Sequence, residues 1–579
     1  MRGRDWLAFL AALGMGLSGC GQDELSANTA STVSEDEPVV VPFIISTAHP
    51  LATEAGRAVL ADGGSAVDAA IAVQAVLGLV EPQSSGLAGG AFLLFYDAEA
   101  DNVIAYDGRE IAPRSAHPEI FLQADGTPMP FIEAVQSGFA TGVPGVVAML
   151  ELAHGEHGKR PWKDLFSEAE RLATDGFPMP VRMNQYVSRL ASLRGEDGAQ
   201  VYFAPSGAPK KVGDVITHPA YAETLRMIAE GGADAYYNGA IAEAIIERVN
   251  RKTGAETLTR ADFESYEPAI REPLCAEAFA HRICTMPPPS AGGTMLLQIV
   301  QMFEMTAGQV APREHLVPYI EASRLAYADR MRFLGDPNGM GSDNLAAEEL
   351  IRALVDARYL EDRARLIGNI PAADVGPGNP VFDASAERFA DDQTYEQPST
   401  SHFSIRDRYG NVAAMTTTVE FPFGSGLFAA GMALNNQLTD FSRVPGTEEQ
   451  PVPNTVQPGH RPASSMTPLI AFNLNGSAVI ALGSPGGTAI PGYVALPLLE
   501  HLAGREALSE AVRKPHIVAP RGEVIVEDGA DELARAIGTL GYEVASRELT
   551  SGLYGFSVKS GEIDLVVDPR REGNAVSGD

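Results

Sequence analysis

The stretch TSHFSIRDRYGNVAAMTTT, residues 400–418, reads as two strands joined by a tight turn at RYGN, residues 408–411. With the turn centred near Tyr409–Gly410, arms of equal length bring residue 400 opposite residue 418. Both are threonines, so the register predicts two hydroxyls on one face within hydrogen-bonding reach. Cross-strand threonine pairs are common in sheets, and the pair alone does not decide between packing and chemistry. Just upstream lies DASAERFADDQTYEQPS, residues 383–399, acidic and irregular, the strongest internal shift in composition. Its abrupt end at Thr400 has two readings. A surface loop enters a sheet there, or the chain is built to be cut before Thr400, exposing a new N-terminus.

Away from this hairpin the sequence is that of an ordinary globular protein. It has 579 residues, 45% of them apolar and 20% charged, enough chain for about three or four domains or one large unit. A formal net charge of −32 argues against nucleic-acid or general phosphate binding, because the summed field repels a polyanion. The opening MRGRDWLAFLAALGMGLSGC, residues 1–20, starts with Arg2 and Arg4. Its apolar run at 6–17 is too short to span a bilayer as a mature helix. The closing LSGC resembles bacterial lipoprotein signals, so Cys20 is expected to be the lipidated first residue of an exported, periplasmic protein held at the membrane by lipid alone. An ordinary secretory signal with an incidental Cys20 is the other reading. Residues 21–41 read as a disordered tether. Cys275 and Cys284 flank AEAFAHRI, which turns near Phe279–His281 and would set the two directly opposite. A disulfide is permissible after export, and two buried thiols are the alternative.

Along the chain, residues 50–80 predict two helices broken at Gly63–Gly64, with Ser65 or Asp68 helping to start the second. A loop, EPQSSGLAGG, and a hairpin ending at Arg109 follow. Residues 130–270 are mostly helical in pattern. MPPPSAGG, 286–293, leads into another helix, 317–335 and 345–366 read as helical, and strands dominate from Phe403 onward. HGEH at 154–157 reads as a polar helix end rather than a metal site. GSPGG at 483–487 lacks the lysine of a phosphate loop, and no G-x-S-x-G turn surrounds a serine. No metal or organic cofactor is implied.

Taken together, four C-terminal segments resemble the small subunit of the gamma-glutamyltransferases (gamma-glutamyl transpeptidases, or glutathione hydrolases). These are the 400–418 hairpin, LNNQLTDFS (434–442), RPASSMTP (461–468) and GSPGGT (483–488). Residues 63–96, DGREIAP (107–113), MPPPSAGG and AYADRMRFLGDP (326–337) are similar to that family's large subunit. The resemblance covers roughly residues 45–570 in the family's order. It implies an α+β, four-layer αββα sandwich, the N-terminal-nucleophile hydrolase fold. It also implies self-cleavage between Ser399 and Thr400 into a large subunit, 42–399, and a small catalytic subunit, 400–579. The two would remain one heterodimeric unit that moves a gamma-glutamyl group from glutathione and related compounds to water or to an amino-acid or peptide acceptor.

The chemistry suits these residues. An interior threonine hydroxyl is a poor nucleophile without a base. A cut before Thr400 frees an α-amine on the same residue, with a reference pKa of roughly 7.7–8.0, suited to that task at neutral pH. By resemblance, Thr418 orients the Thr400 hydroxyl. The backbone of Gly486 and Gly487 forms the oxyanion hole, where glycine permits close approach. Arg109, Ser464 and Ser465 bind the donor's carboxylate, while Asp440, Gln437 and Glu420 meet its ammonium. His402 is expected to be structural. The chain departs from the family at Glu420, where asparagine is frequent, and at 443–460, a Pro-rich segment without the aromatic lid residue of many members. Two other functions use the same features: an acylase removing a glutaryl-like group, which needs no ammonium site, and a non-catalytic lipoprotein binding peptides or amino acids.

Overall fold

The hairpin has the register its sequence predicts. In a computed structural model of the chain, Ser401–Arg406 and Val412–Thr418 pair antiparallel, with Ala413 opposite Ile405 and Thr417 opposite Ser401. Continued by one residue, the ladder sets Thr418 against Thr400. Asp407 fixes the turn. One of its carboxylate oxygens accepts the backbone N–H groups of Tyr409 and Asn411. The other accepts the N–H of Ala66, 2.9 Å away, at the start of the helix Ala66–Val80. The structure describes residues 42–307, 315–340, 346–368, 375–380, 388–394, 396–397 and 399–579. Cys20 and the 21–41 tether lie outside them.

Two antiparallel sheets form the centre. In chain order their strands are β1 (Phe43–Thr47), β2 (Gly90–Asp97), β3 (Asn102–Gly108), β4 (Ala269–Arg271), β5 (Leu274–Ala278), β6 (His281–Thr285), β7 (Ser401–Arg406), β8 (Val412–Thr418), β9 (Leu469–Phe472), β10 (Ala478–Gly483), β11 (Tyr554–Lys559), β12 (Glu562–Val567) and β13 (Asn574–Gly578). The seven-stranded sheet runs β13–β1–β7–β8–β2–β3–β4 and the six-stranded sheet β12–β11–β10–β9–β6–β5. Strands from before and after Thr400 pair with each other in both sheets, at β13–β1, β1–β7 and β8–β2 in the first and at β9–β6 in the second, so a cut there would leave two interlocked chains.

Alternation along β2 shows the layering. Ala91, Leu93 and Phe95 pack with the helices Pro50–Ala61 and Ala66–Val80. Phe92, Leu94 and Tyr96 face the second sheet, where the Tyr96 ring meets Phe472 edge-on at 4.9 Å. Both faces are buried, which is why AFLLFY reads as an unbroken apolar run. The helices Ala291–Ala307, Leu316–Phe333 and Ile490–Leu502 share the apolar cluster of the second sheet. The order is therefore helix, sheet, sheet, helix, as the resemblance implies.

Ser65 caps the Ala66–Val80 helix in a reciprocal box with Asp68, as its sequence position indicates. Cys275 stands directly opposite Cys284 across β5 and β6 and is joined to it by a disulfide, with Cα atoms 4.1 Å apart. The turn between them puts Phe279 and Ala280 at positive φ, a geometry that usually selects glycine or asparagine. Glu304 accepts the Phe279 N–H at 2.7 Å and holds it there. HGEH closes the helix Val146–His157. The His154 ring bonds the carbonyl of Arg160 and the His157 ring the hydroxyl of Tyr106, which accounts for both as helix-end polar groups. Among the described residues no helix is long and apolar enough to cross a membrane.

Candidate active site

Thr400 sits at the entrance of β7 and shares the side of the strand on which His402 and Ser404 face the second sheet. The contact is close. A side chain at Gly483, at the end of β10, would strike the His402 ring, and Ser404 donates to the carbonyl of Tyr554 in β11. The His402 ring is fully engaged, its nitrogens 2.8 Å from the Thr416 hydroxyl and 3.0 Å from that of Ser404. Burial lowers its pKa to about 3. It is a neutral packing group, as expected.

The bond before Thr400 is intact and already crowded by hydroxyls. Thr400 Oγ1 donates toward the Ser399 carbonyl oxygen at 2.6 Å and lies 3.2 Å from Thr418 Oγ1. Thr418 donates to the same carbonyl at 2.8 Å and accepts the N–H of Glu420 at 2.9 Å. The Ser399 hydroxyl donates to the Gln83 carbonyl. Arg571 Nη1 holds the Thr400 carbonyl at 2.8 Å, and Ser401 donates to Glu81 at 2.8 Å. The peptide before Thr400 is thus fixed on both flanks, with two hydroxyls on its carbonyl. Because charge develops on that oxygen during attack, Thr418→Val is expected to slow self-cleavage by about 10²–10³-fold. A time course of the fragment beginning Thr-Ser-His measures this, and an unchanged rate removes Thr418 from the step.

Arg109 is buried at the end of β3. Its Nη2 donates to Asp440 Oδ2 at 2.7 Å and to the Ala463 carbonyl at 2.8 Å, and Nε to the Pro462 carbonyl. Gln437 Nε2 donates to the same Asp440 oxygen at 2.5 Å. Arg109 Nη1 and Asp440 Oδ1 have no hydrogen-bond partner among the described residues. The Nη1 group faces the buried Glu110 carboxylate at 3.8 Å, beyond hydrogen-bonding distance.

Glu420 adopts a φ of 77°, the left-handed region that asparagine tolerates better than glutamate. Its carboxylate accepts the Gln397 N–H at 3.1 Å and the Asn436 side-chain amide. Burial and the charge of Asp440 push its pKa well above the ordinary range. Burial raises Asp440 to about 7 against the pull of Arg109, with Glu396 adding to the rise.

Ser464 Oγ accepts the Met466 N–H at 3.2 Å, and Ser465 binds Glu396 through both its hydroxyl and its N–H. Gly486 and Gly487 follow β10 at φ 142° and 58°. A Cβ on Gly487 would fall 2.4 Å and 2.5 Å from the carbonyl oxygens of Glu396 and Gln397, so these two residues pass directly over Gly487, whereas Gly486 faces the Tyr493 ring. Sequence reasoning missed Glu396, Arg330, Arg571 and Glu81. The only local signal was a run of polar residues at EPQSS, where a buried helix ends.

The gamma-glutamyltranspeptidase family model matches residues 52–578. The chain belongs to the gamma-glutamyltranspeptidase family. It is 35% identical over 552 residues, covering 92% of this chain and 91% of the relative, to the glutathione hydrolase proenzyme of Bacillus subtilis strain 168. The solved gamma-glutamyltranspeptidase of Helicobacter pylori is 28% identical, with a TM-score of 0.54 over 61% of this chain and 99% of its own. A cephalosporin acylase from Bacillus halodurans has the same fold, with a TM-score of 0.79 at 23% identity over 95% of this chain and 98% of its own. Family membership makes the protein an enzyme of gamma-glutamyl chemistry.

Proposed function

We propose that this protein is an exported proenzyme that cuts itself between Ser399 and Thr400 and then works as a gamma-glutamyltransferase and glutathione hydrolase. The observation that carries the reading is the approach of Thr400 Oγ1 to within 2.6 Å of the Ser399 carbonyl oxygen, with Thr418 on the same oxygen. In the cut, Thr400 Oγ adds to the Ser399 carbonyl carbon. The C–N bond breaks, nitrogen takes the proton, and an ester joins Ser399 to the Thr400 side chain. Water hydrolyses the ester, leaving a Ser399 carboxylate, a free hydroxyl and a free α-amine on Thr400. Large (42–399) and small (400–579) subunits stay together because strands of one pair with strands of the other in both sheets.

In turnover the Thr400 α-amine takes the hydroxyl proton as Oγ attacks the donor's γ-carbonyl, and delivers it to the leaving amine. The acyl-enzyme is resolved by water or by the amine of an amino acid or peptide. Gly486 and Gly487 hold the oxyanion. Arg109, Ser464 and Ser465 receive the donor's carboxylate, and Asp440, Glu420 and Gln437 its ammonium. The reading includes a periplasmic protein lipidated at Cys20, resting on the LSGC motif. The test is purified protein assayed for release of 4-nitroaniline from the gamma-glutamyl anilide and of glutamate from glutathione. Turnover of both by a species whose small chain starts Thr-Ser-His is expected, and an intact chain without either product overturns the reading.

A further inference from the structure

We propose that Glu396 occupies the donor-carboxylate pocket in the intact chain, so that the protein carries its own glutamate as a tethered ligand closing the donor site until the bond before Thr400 is cut. The inference rests on the function proposed above and adds an occupant and a residue, Arg330, that the resemblance does not assign. Glu396 is buried, although it belongs to an acidic segment that its sequence marks as a surface loop. One carboxylate oxygen accepts the Ser465 N–H at 2.8 Å. The other accepts the Ser465 hydroxyl at 2.7 Å and Arg330 Nη2 at 2.7 Å. Two donors and a guanidinium on one carboxylate form a recognition site rather than a loose surface pairing.

The backbone is docked as well. Glu396 N–H donates to the Thr488 hydroxyl at 2.8 Å, and its carbonyl accepts the Thr488 N–H at 3.3 Å. Gln397 N–H donates to Glu420, and the two carbonyls pass over Gly487. One residue from each proposed group, Ser465 for the donor's carboxylate, Glu420 for its ammonium and Gly487 for its oxyanion, is therefore engaged by two consecutive residues of the same chain. A donor cannot share Ser465 with Glu396.

Charge explains how the occupant leaves. Glu396, Glu420 and Asp440 gather around one pocket, and the charge of Glu396 is among the causes that raise the proton affinity of both other acids. No ammonium accompanies this tethered glutamate to balance them. Hydrolysis of the Ser399–Thr400 bond adds a carboxylate at Ser399 and frees the end of the chain. The added repulsion favours withdrawal, which vacates Ser465 and Arg330 for a donor. Before the cut, the same grip makes Glu396 a positioning residue, setting the scissile carbonyl against Thr418.

The experiment uses full chains and L-glutamate as the probe. Thr400→Ala, which stays intact, is compared by calorimetry with Thr400→Ala carrying Glu396→Ala, and with the cut wild-type enzyme. Glutamate is expected to bind the double variant at least about tenfold more tightly than Thr400→Ala. Equal affinities overturn the proposal, as does a double variant that still refuses glutamate while the cut enzyme binds it. Glu396→Gln, close to isosteric, keeps one acceptor for the Ser465 N–H, loses the charge and the acceptor that meet Arg330, and serves as the folding control. In a chain with Thr400 present it is expected to slow the cut by about 10- to 100-fold, and an unchanged rate refutes the positioning role. Failure of the parent function is separate: the cut enzyme would then release no 4-nitroaniline.

Discussion

Thr400→Ala is expected to remain one uncut chain and to lose anilide and glutathione hydrolysis by about 10⁴-fold or more, the scale set by removing a nucleophile. The geometry makes the prediction severe. In the proposed mechanism one side chain attacks the Ser399 carbonyl in the first reaction and the donor carbonyl in the second, and its nitrogen becomes a base only after the first. His402 offers no substitute, because both ring nitrogens are held by hydroxyls and burial keeps the ring neutral. Thr400→Ser retains the hydroxyl and should still cut, more slowly. The measurements are N-terminal sequencing of the small chain and anilide turnover by the same sample. An uncut Thr400→Ala protein with wild-type turnover would remove Thr400 from the chemistry, and a cut one would assign the first step to another group.

The hairpin was legible because its register depends on local chemistry. Asp407 and Gly410 fix the turn, the alternation fixes the faces, and Thr418 opposite Thr400 follows by counting. The disulfide was half legible for the same reason. Counting set Cys275 against Cys284, while nothing local distinguished a bond from two thiols. The donor site was legible only through resemblance, because Arg109, Asp440 and Ser465 are far apart in sequence and meet through the stacking of two sheets. Glu396 was hidden by its composition. In a run such as DDQTYEQPS a glutamate reads as solvated charge, and only the tertiary position of Arg330 and Ser465 makes it a ligand. Arg571, close to the C-terminus, reaches Thr400 across 171 positions of sequence, a separation no periodicity reports.

Asp440→Asn separates gamma-glutamyl chemistry from acylase chemistry on the same fold. The substitution keeps the shape of the side chain and removes the charge that faces both Arg109 and, in the proposed complex, the donor's ammonium. Losing one partner of a buried charge pair in binding costs about 2–5 kcal/mol, so kcat/KM for the gamma-glutamyl anilide should fall by about 30- to 5,000-fold. A glutaryl anilide has the same acyl chain without the ammonium, and its kcat/KM should change far less. The selectivity ratio is then expected to collapse, whereas an equal loss on both substrates would give Asp440 a purely structural role. The pH profile supplies an independent arm. Burial raises the pKa values of Glu420 and Asp440, that of Asp440 to about 7. The full negative charge that attracts an ammonium is present above that range and lost as the pH falls through it. Withdrawal of Glu396 removes one of the raising charges, so the acidic limb of the cut enzyme should lie at or below about pH 7. Glu420 is raised by burial and by the charge of Asp440 and keeps its proton while Asp440 titrates, so Glu420→Asn should leave that limb in place while relieving a backbone conformation that suits asparagine better. A limb that moves to lower pH in Glu420→Asn would instead show that Glu420 is charged while Asp440 titrates.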